Sequence, residues 1–220
     1  MNPTPEKTSV MAPFILMLFL YFIVGLFTVI NQQFQVPLKS ALLPHDGNMT
    51  NALVTLLNFS WFLAYPFSEG FATRWVDRLG YRKTSVYSLL IFIAGLGFYE
   101  AAVLLHIYAP SYITIMGNPI FTGFFVFLSG SFVIGMAVTI LQVVTGLYLD
   151  VNPVGKTTPL QRQMIGGTTN SIGMAIGPLV VSYIIFYGIP LHNVQSREFI
   201  WPVICLIAII CIFTLITARI

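Results

Sequence analysis

Long apolar runs and short polar breaks succeed one another six times along this chain. The runs cover Pro13–Leu38, Asn51–Thr73, Thr84–His106, Ile120–Leu149, Met164–Tyr187 and Ile200–Thr217. Each can cross a hydrocarbon core of about 30 Å as a helix, which needs about 20 residues. The breaks carry turn or charge signals: Pro44-His45-Asp46-Gly47, the Arg74–Lys83 stretch, Ala109-Pro110-Ser111, Asn152-Pro153-Val154-Gly155 and Pro190-Leu191-His192-Asn193. This pattern predicts an all-α membrane protein, with a short segment over 1–12 ahead of a six-helix transmembrane bundle over 13–220.

Composition points the same way. The chain is 57% hydrophobic and only 8% charged, against about 45–50% and about 25% in ordinary soluble domains. A net charge of +3 raises the question of nucleic acid, but the basic residues sit in short loops between apolar spans, so no nucleic-acid partner is expected. Lys7, Arg74, Arg78, Arg82, Lys83, Lys156, Arg162 and Arg219 fall on one side, with Lys39 and Arg197 on the other. That bias places both termini in the cytoplasm of a multi-pass protein of the cell (inner) membrane.

No enzyme is expected, and no metal or cofactor. His45, His106 and His192 are isolated near loops, and Gly155-Lys156-Thr157 lacks the upstream glycine of a phosphate-binding loop. Cys205 and Cys211 are six apart in one apolar run, which turns their side chains to different directions on a helix and rules out a bridge between them.

Polar groups at membrane depth are costly and point to function. The first run is interrupted by Asn31-Gln32-Gln33-Phe34-Gln35, four amides in five residues. Amides both donate and accept hydrogen bonds, as a polyhydroxylated solute requires. Gln142 in the fourth run and Asn170 in the fifth lie at comparable depth from the cytoplasmic end, so they are able to converge. The competing reading for these amides is an interfacial helix end or a hydrogen bond between helices. Glu69 and Glu100 are the acids inside runs; Glu69 is assigned to the cytoplasmic charge network, and Glu100 either carries a proton, snorkels or pairs with His106. The fifth run holds Gly166, Gly167, Gly173, Gly177 and Pro178, of which Gly173 and Gly177 form a small-residue face ending at Pro178 for close helix approach.

The order of residues in Asp77-Arg78-Leu79-Gly80-Tyr81-Arg82-Lys83 resembles the loop signature between helices 2 and 3 of the major facilitator superfamily, with Thr73 and Tyr81 in place of a glycine and an arginine. More narrowly, the chain resembles the fucose:proton symporter family, through Asn31, Leu38, Lys39 and Ala41 in the first run. Leu141-Gln142-Val143, Tyr148, Arg162, Asn170-Ser171, Gly173 and Gly177-Pro178 extend the match. The resemblance implies the amino-terminal half of a twelve-helix permease for a sugar or similar small polar solute, built from two three-helix inverted repeats. It implies Asn31, Gln32, Gln142 and Asn170 as the solute-lining set, and Asp77, Arg78 and Arg82, with Glu69, as a cytoplasmic gate. The implied partners are the lipid bilayer, a carboxy-terminal six-helix half and a coupling ion. Acidic positions of the family fall at Gln32 and Gln142, and glutamine carries no proton, so proton coupling is not implied through them. The chain stops at Ala218-Arg219-Ile220, where a central loop would begin. The alternatives are a truncated half serving as a scaffold or solute sensor, and a half-transporter working as a homodimer.

Overall fold

The computed structural model describes residues 11–43, 48–115 and 117–219. The expected turn at Pro44-His45-Asp46-Gly47, and Lys7 with most of the 1–12 segment, lie outside the described residues. Helix α1 spans Met11–Gln33, α2 Gln35–Leu42, α3 Asn48–Tyr108, α4 Thr122–Val151, α5 Pro159–Leu179 and α6 Ile200–Arg219. Among the described residues, five helices are long and apolar enough to cross a bilayer. The architecture is that of an all-α membrane protein.

One small element departs from that class. Strands β1 (Tyr112–Ile115) and β2 (Asn118–Phe121) pair as an antiparallel ribbon between α3 and α4. Tyr-Ile-Thr-Ile is a short β-branched and aromatic run, and Gly117 takes a positive φ of 82° in the turn, which suits a tight hairpin. The sequence reading placed the start of the fourth apolar run inside this ribbon.

Helix α3 is 61 residues long, which at 1.5 Å per residue would reach about 90 Å if straight, three times the hydrocarbon thickness. It is not straight. Gly80 has φ 78° and ψ 169°, a region only glycine occupies without strain. The packing on α4 gives the direction of the two arms. Leu57, Trp61 and Tyr65 of the first arm meet Ser131, Gly135 and Gln142 in rising order. Ser88, Gly95 and Ala102 of the second arm meet Ala137, Gly130 and Gly123 in falling order. The arms are therefore antiparallel. The charged stretch expected as a turn is helical on both sides of this single residue.

The other interruptions have local causes. Pro37 has no N–H to donate to Gln33, and α1 gives way to α2 at Phe34, just ahead of it. Helix α5 begins earlier than the hydrophobic pattern predicts, because Thr158-Pro159-Leu160-Gln161 forms a capping box with proline in the first turn. Past Pro178 its backbone widens into a π-helical turn over Val180–Ile185, and Tyr187 and Gly188 close the segment with positive φ.

Helix α4 is the centre of the bundle, with 61% of its apolar window buried against 22% for α5 and 28% for α6. Helix α6 packs mainly on α3, and α5 mainly on α1. The α1–α5 contact is made by glycine: a methyl group built on Gly173 would overlap the Phe22 carbonyl, and one on Gly25 would overlap the Asn170 carbonyl. The small-residue face read from the sequence is thus the face buried against α1.

Candidate functional site

Two polar constellations lie inside the bundle. The deeper one centres on Asn31, buried to 3% exposure. Its Nδ2 donates to Asn58 Oδ1 at 3.3 Å, and its Oδ1 accepts from Tyr99 Oη at 3.1 Å and Ser131 Oγ at 3.2 Å. One amide therefore ties α1 to both arms of α3 and to α4. Both acceptor sites of its oxygen are used, leaving one N–H. Tyr99 is stacked on Phe127 with ring centroids 3.7 Å apart, which fixes the hydroxyl's direction. Asn31, Tyr99 and Trp61 border a cavity of about 10 Å³, room for about one water molecule.

The second constellation is half-exposed and centres on Tyr65 of the first α3 arm. Its hydroxyl donates to Gln142 Oε1 of α4 at 3.4 Å, and it lies within electrostatic reach of Thr28 and Tyr21 on α1 and of Glu69 one turn away. Asn170 approaches the same level of α1 from the other side, donating from Nδ2 to the Tyr21 carbonyl at 3.0 Å. The four amides read from the sequence thus divide. Gln142 and Asn170 flank α1 near Tyr21 and Thr28, while Asn31 joins α4 at Ser131, 11 residues and about 16 Å along the helix from Gln142. Gln32 is exposed beside Asn31.

Glu69, Asp77, Arg78 and Arg82 are all exposed, and among the described residues none of their side chains makes a hydrogen bond or ion pair. Glu100 does not pair with His106. The His106 Nδ1 shares a hydrogen bond with Ser196 Oγ at 2.7 Å, and Glu100 Oε2 is buried without a partner among the described residues.

Arg162 is 2% exposed. Its guanidinium donates to three backbone carbonyls: Leu149 at 2.6 Å, Asp150 at 2.8 Å and Thr157 at 2.7 Å. It thereby caps the carboxy-terminal end of α4 from the first turn of α5, where free carbonyls and the helix dipole favour a cation. A lysine offers no planar fork for several acceptors at once. Arg162→Lys is expected to lower the melting temperature in detergent by about 4–12 °C, from the loss of about 2–3 kcal/mol of charged hydrogen bonding. Faster cleavage between α4 and α5 by a protease should accompany it; an unchanged melting curve would remove the capping role.

Sequence reasoning missed Asn58, Tyr65, Tyr99 and Ser131. A signal existed for two of them: Asn51, Asn58 and Tyr65 recur at intervals of seven in an apolar run, which places them on one helix face. Tyr99 and Ser131 acquire their partners only through long-range packing, 68 and 100 positions from Asn31. No family model matches the chain, and no match was found among curated proteins or solved structures.

Proposed function

We propose that the chain is a six-span half of a transporter that moves a small polar solute, such as a sugar, by alternating access, as its resemblance to the major facilitator superfamily implies. The two arms of α3 count as separate spans, and the six fall into two three-helix inverted repeats. Both termini face the cytoplasm of the cell membrane.

One observation carries the reading. Helix α5 is the least apolar of the candidate spans, with a mean hydropathy of 1.3 against 2.0 to 2.9 in the others, and also the least buried. Its exposed surface divides into two stripes. Ile165, Ile172 and Ile176 form one suited to lipid; Gln161, Thr168, Ser171 and Ala175, interspersed with Met164 and Leu179, form another that is partly polar. A polar stripe on a spanning helix needs water or a second protein surface beside it. A water-filled path between two bundles supplies both.

In this reading Gln142 and Tyr65 present hydrogen-bonding groups to the solute, and Gln32 extends the lining outward. Asn31 and Asn170 act as positioning residues, since their amides are occupied by α3, α4 and the α1 backbone. Glu69, Asp77, Arg78 and Arg82 are unpaired among the described residues and are assigned to contacts with the second six-helix body when the inner side is shut. Gln32 and Gln142 exchange no proton, so any coupling proton is carried elsewhere.

Counterflow in proteoliposomes, against a panel of sugars at two pH values and with or without sodium, tests the function. Saturable uptake of at least one sugar is expected when this half is reconstituted together with its second six-helix half; no uptake of any by the two halves together would defeat the permease reading. Asp77→Asn is expected to lower the transport rate at least about tenfold while leaving solute binding within about twofold, because the lost contact acts on the conformational step and not on the site. Normal transport by Asp77→Asn would eliminate the gate. Labelling of single cysteines at 83, 114, 155 and 192 with a membrane-impermeant reagent checks the topology: 114 and 192 should react from outside, 83 and 155 only after lysis.

A further inference from the structure

We infer that the protein carries a binding site for an anionic glycerophospholipid where α1, α4 and α6 meet the Gly80 reversal. A cavity of about 390 Å³ opens there. Leu16 and Met17 of α1 and Leu79 form its apolar wall, Arg82 and Lys83 its cationic rim, and Tyr148 of α4 closes it from the side. No acidic residue lines it among the described residues. Arg82 and Lys83 are exposed, and neither makes a hydrogen bond or ion pair among the described residues.

The cavity lies at a level where positive charge meets apolar surface. Tyr148 is held edge-on by Tyr81, with centroids 5.4 Å apart, so the aromatic side is fixed. Basic pockets of this kind between spanning helices take anionic lipid headgroups.

A second feature distinguishes a lipid from a free phosphate. Thr217 lies in the wall of the cavity, and one turn away on the same face of α6 is Phe213, which borders a second cavity of about 290 Å³. That crevice runs between α1, α6 and the π-helical turn, past Leu26, Leu206 and Ile209, and its lining is almost wholly apolar. The two helices meet across it at Phe19 and Phe213, with ring centroids 4.6 Å apart. A headgroup seated at Arg82 and Lys83 therefore has an apolar seam within one helical turn for an acyl chain. A soluble phosphate has no use for that seam.

The experiment uses the full chain, purified and exchanged into nanodiscs of phosphatidylcholine alone or with one-fifth phosphatidylglycerol. Lipid retained after detergent re-extraction is then quantified by mass spectrometry. Preferential retention of phosphatidylglycerol over phosphatidylcholine is expected. Arg82→Gln and Lys83→Gln should each reduce that preference about fivefold, and the double variant about thirtyfold, from the attraction each basic residue contributes near an anionic lipid. Arg74→Gln, an exposed charge outside the cavity, should leave it unchanged. Glycerol 3-phosphate in solution should not compete. Equal retention of the two lipids, retention undiminished in the double variant, or loss caused equally by Arg74→Gln would overturn the site. Competition by glycerol 3-phosphate would reassign it to a soluble phosphate and overturn the lipid.

Discussion

Replacing Asn31 with leucine is expected to cost the bundle about 2–4 kcal/mol, although the two side chains are similar in size. Leucine fills the space, so the cost is not a cavity. It comes from Tyr99, Ser131 and Asn58, which each lose a partner. A buried donor left without an acceptor costs about 1–3 kcal/mol. Ser131 has a second acceptor in the Leu57 carbonyl at 3.1 Å, and Asn58 is half-exposed, so Tyr99 bears most of the loss. Tyr99→Phe removes the stranded hydroxyl. In the Asn31→Leu background it should therefore restore part of the stability, giving a coupling of about 0.5–3 kcal/mol in a double-mutant cycle. Unfolding in detergent, followed by tryptophan fluorescence, reads it directly. Additive losses in the double variant would mean that Asn31 and Tyr99 do not depend on each other.

Gly173→Val should be equally damaging for the opposite reason. The added carbons would overlap the Phe22 carbonyl and crowd the Leu26 N–H. These are backbone atoms of α1 and cannot rotate away. Overpacking of this kind costs about 1–3 kcal/mol and sometimes more. Helix α5 has little else to hold it, since its buried positions are Arg162, Gly166, Gly173 and Gly177. The expected outcome is selective release of α5. Reactivity of a cysteine placed at Val29, which packs on Gly177, should rise several-fold while the α3–α4 contacts persist. Gly167→Val is the control, because a methyl group at Gly167 meets nothing within contact distance. Equal effects at 167 and 173 would show that general glycine loss, and not helix approach, is responsible.

The contrast between these two glycines marks the limit of what the sequence discloses. The apolar runs were legible because a bilayer demands length and hydrophobicity, and both are local properties. The cap at Thr158 and the helix break ahead of Pro37 were not read from the hydrophobic pattern, which ran the first span through Pro37 and began the fifth at Met164. The small-residue face of α5 was legible as a face, and its partner α1 was not. The candidate site was read less completely. Asn31 stood out as an amide in an apolar run, yet its role depends on Asn58, Tyr99 and Ser131, which lie 27, 68 and 100 positions away. Arg162 was read as a positive charge near a loop and as part of the family resemblance. Its burial follows from where α4 ends, which no property of residue 162 reveals.

Gly80 sets a mechanical condition on the molecule. The chain reverses at one residue, so the two arms of α3 have no slack between them. An extra residue at that point would turn the second arm by about 100° about its own axis, and Ser88, Gly95 and Tyr99 would all leave α4 together. For the same reason the first arm cannot tilt without carrying the second with it. The ends of both arms that meet at Gly80, with the charges they bear, therefore behave as one end of a single lever.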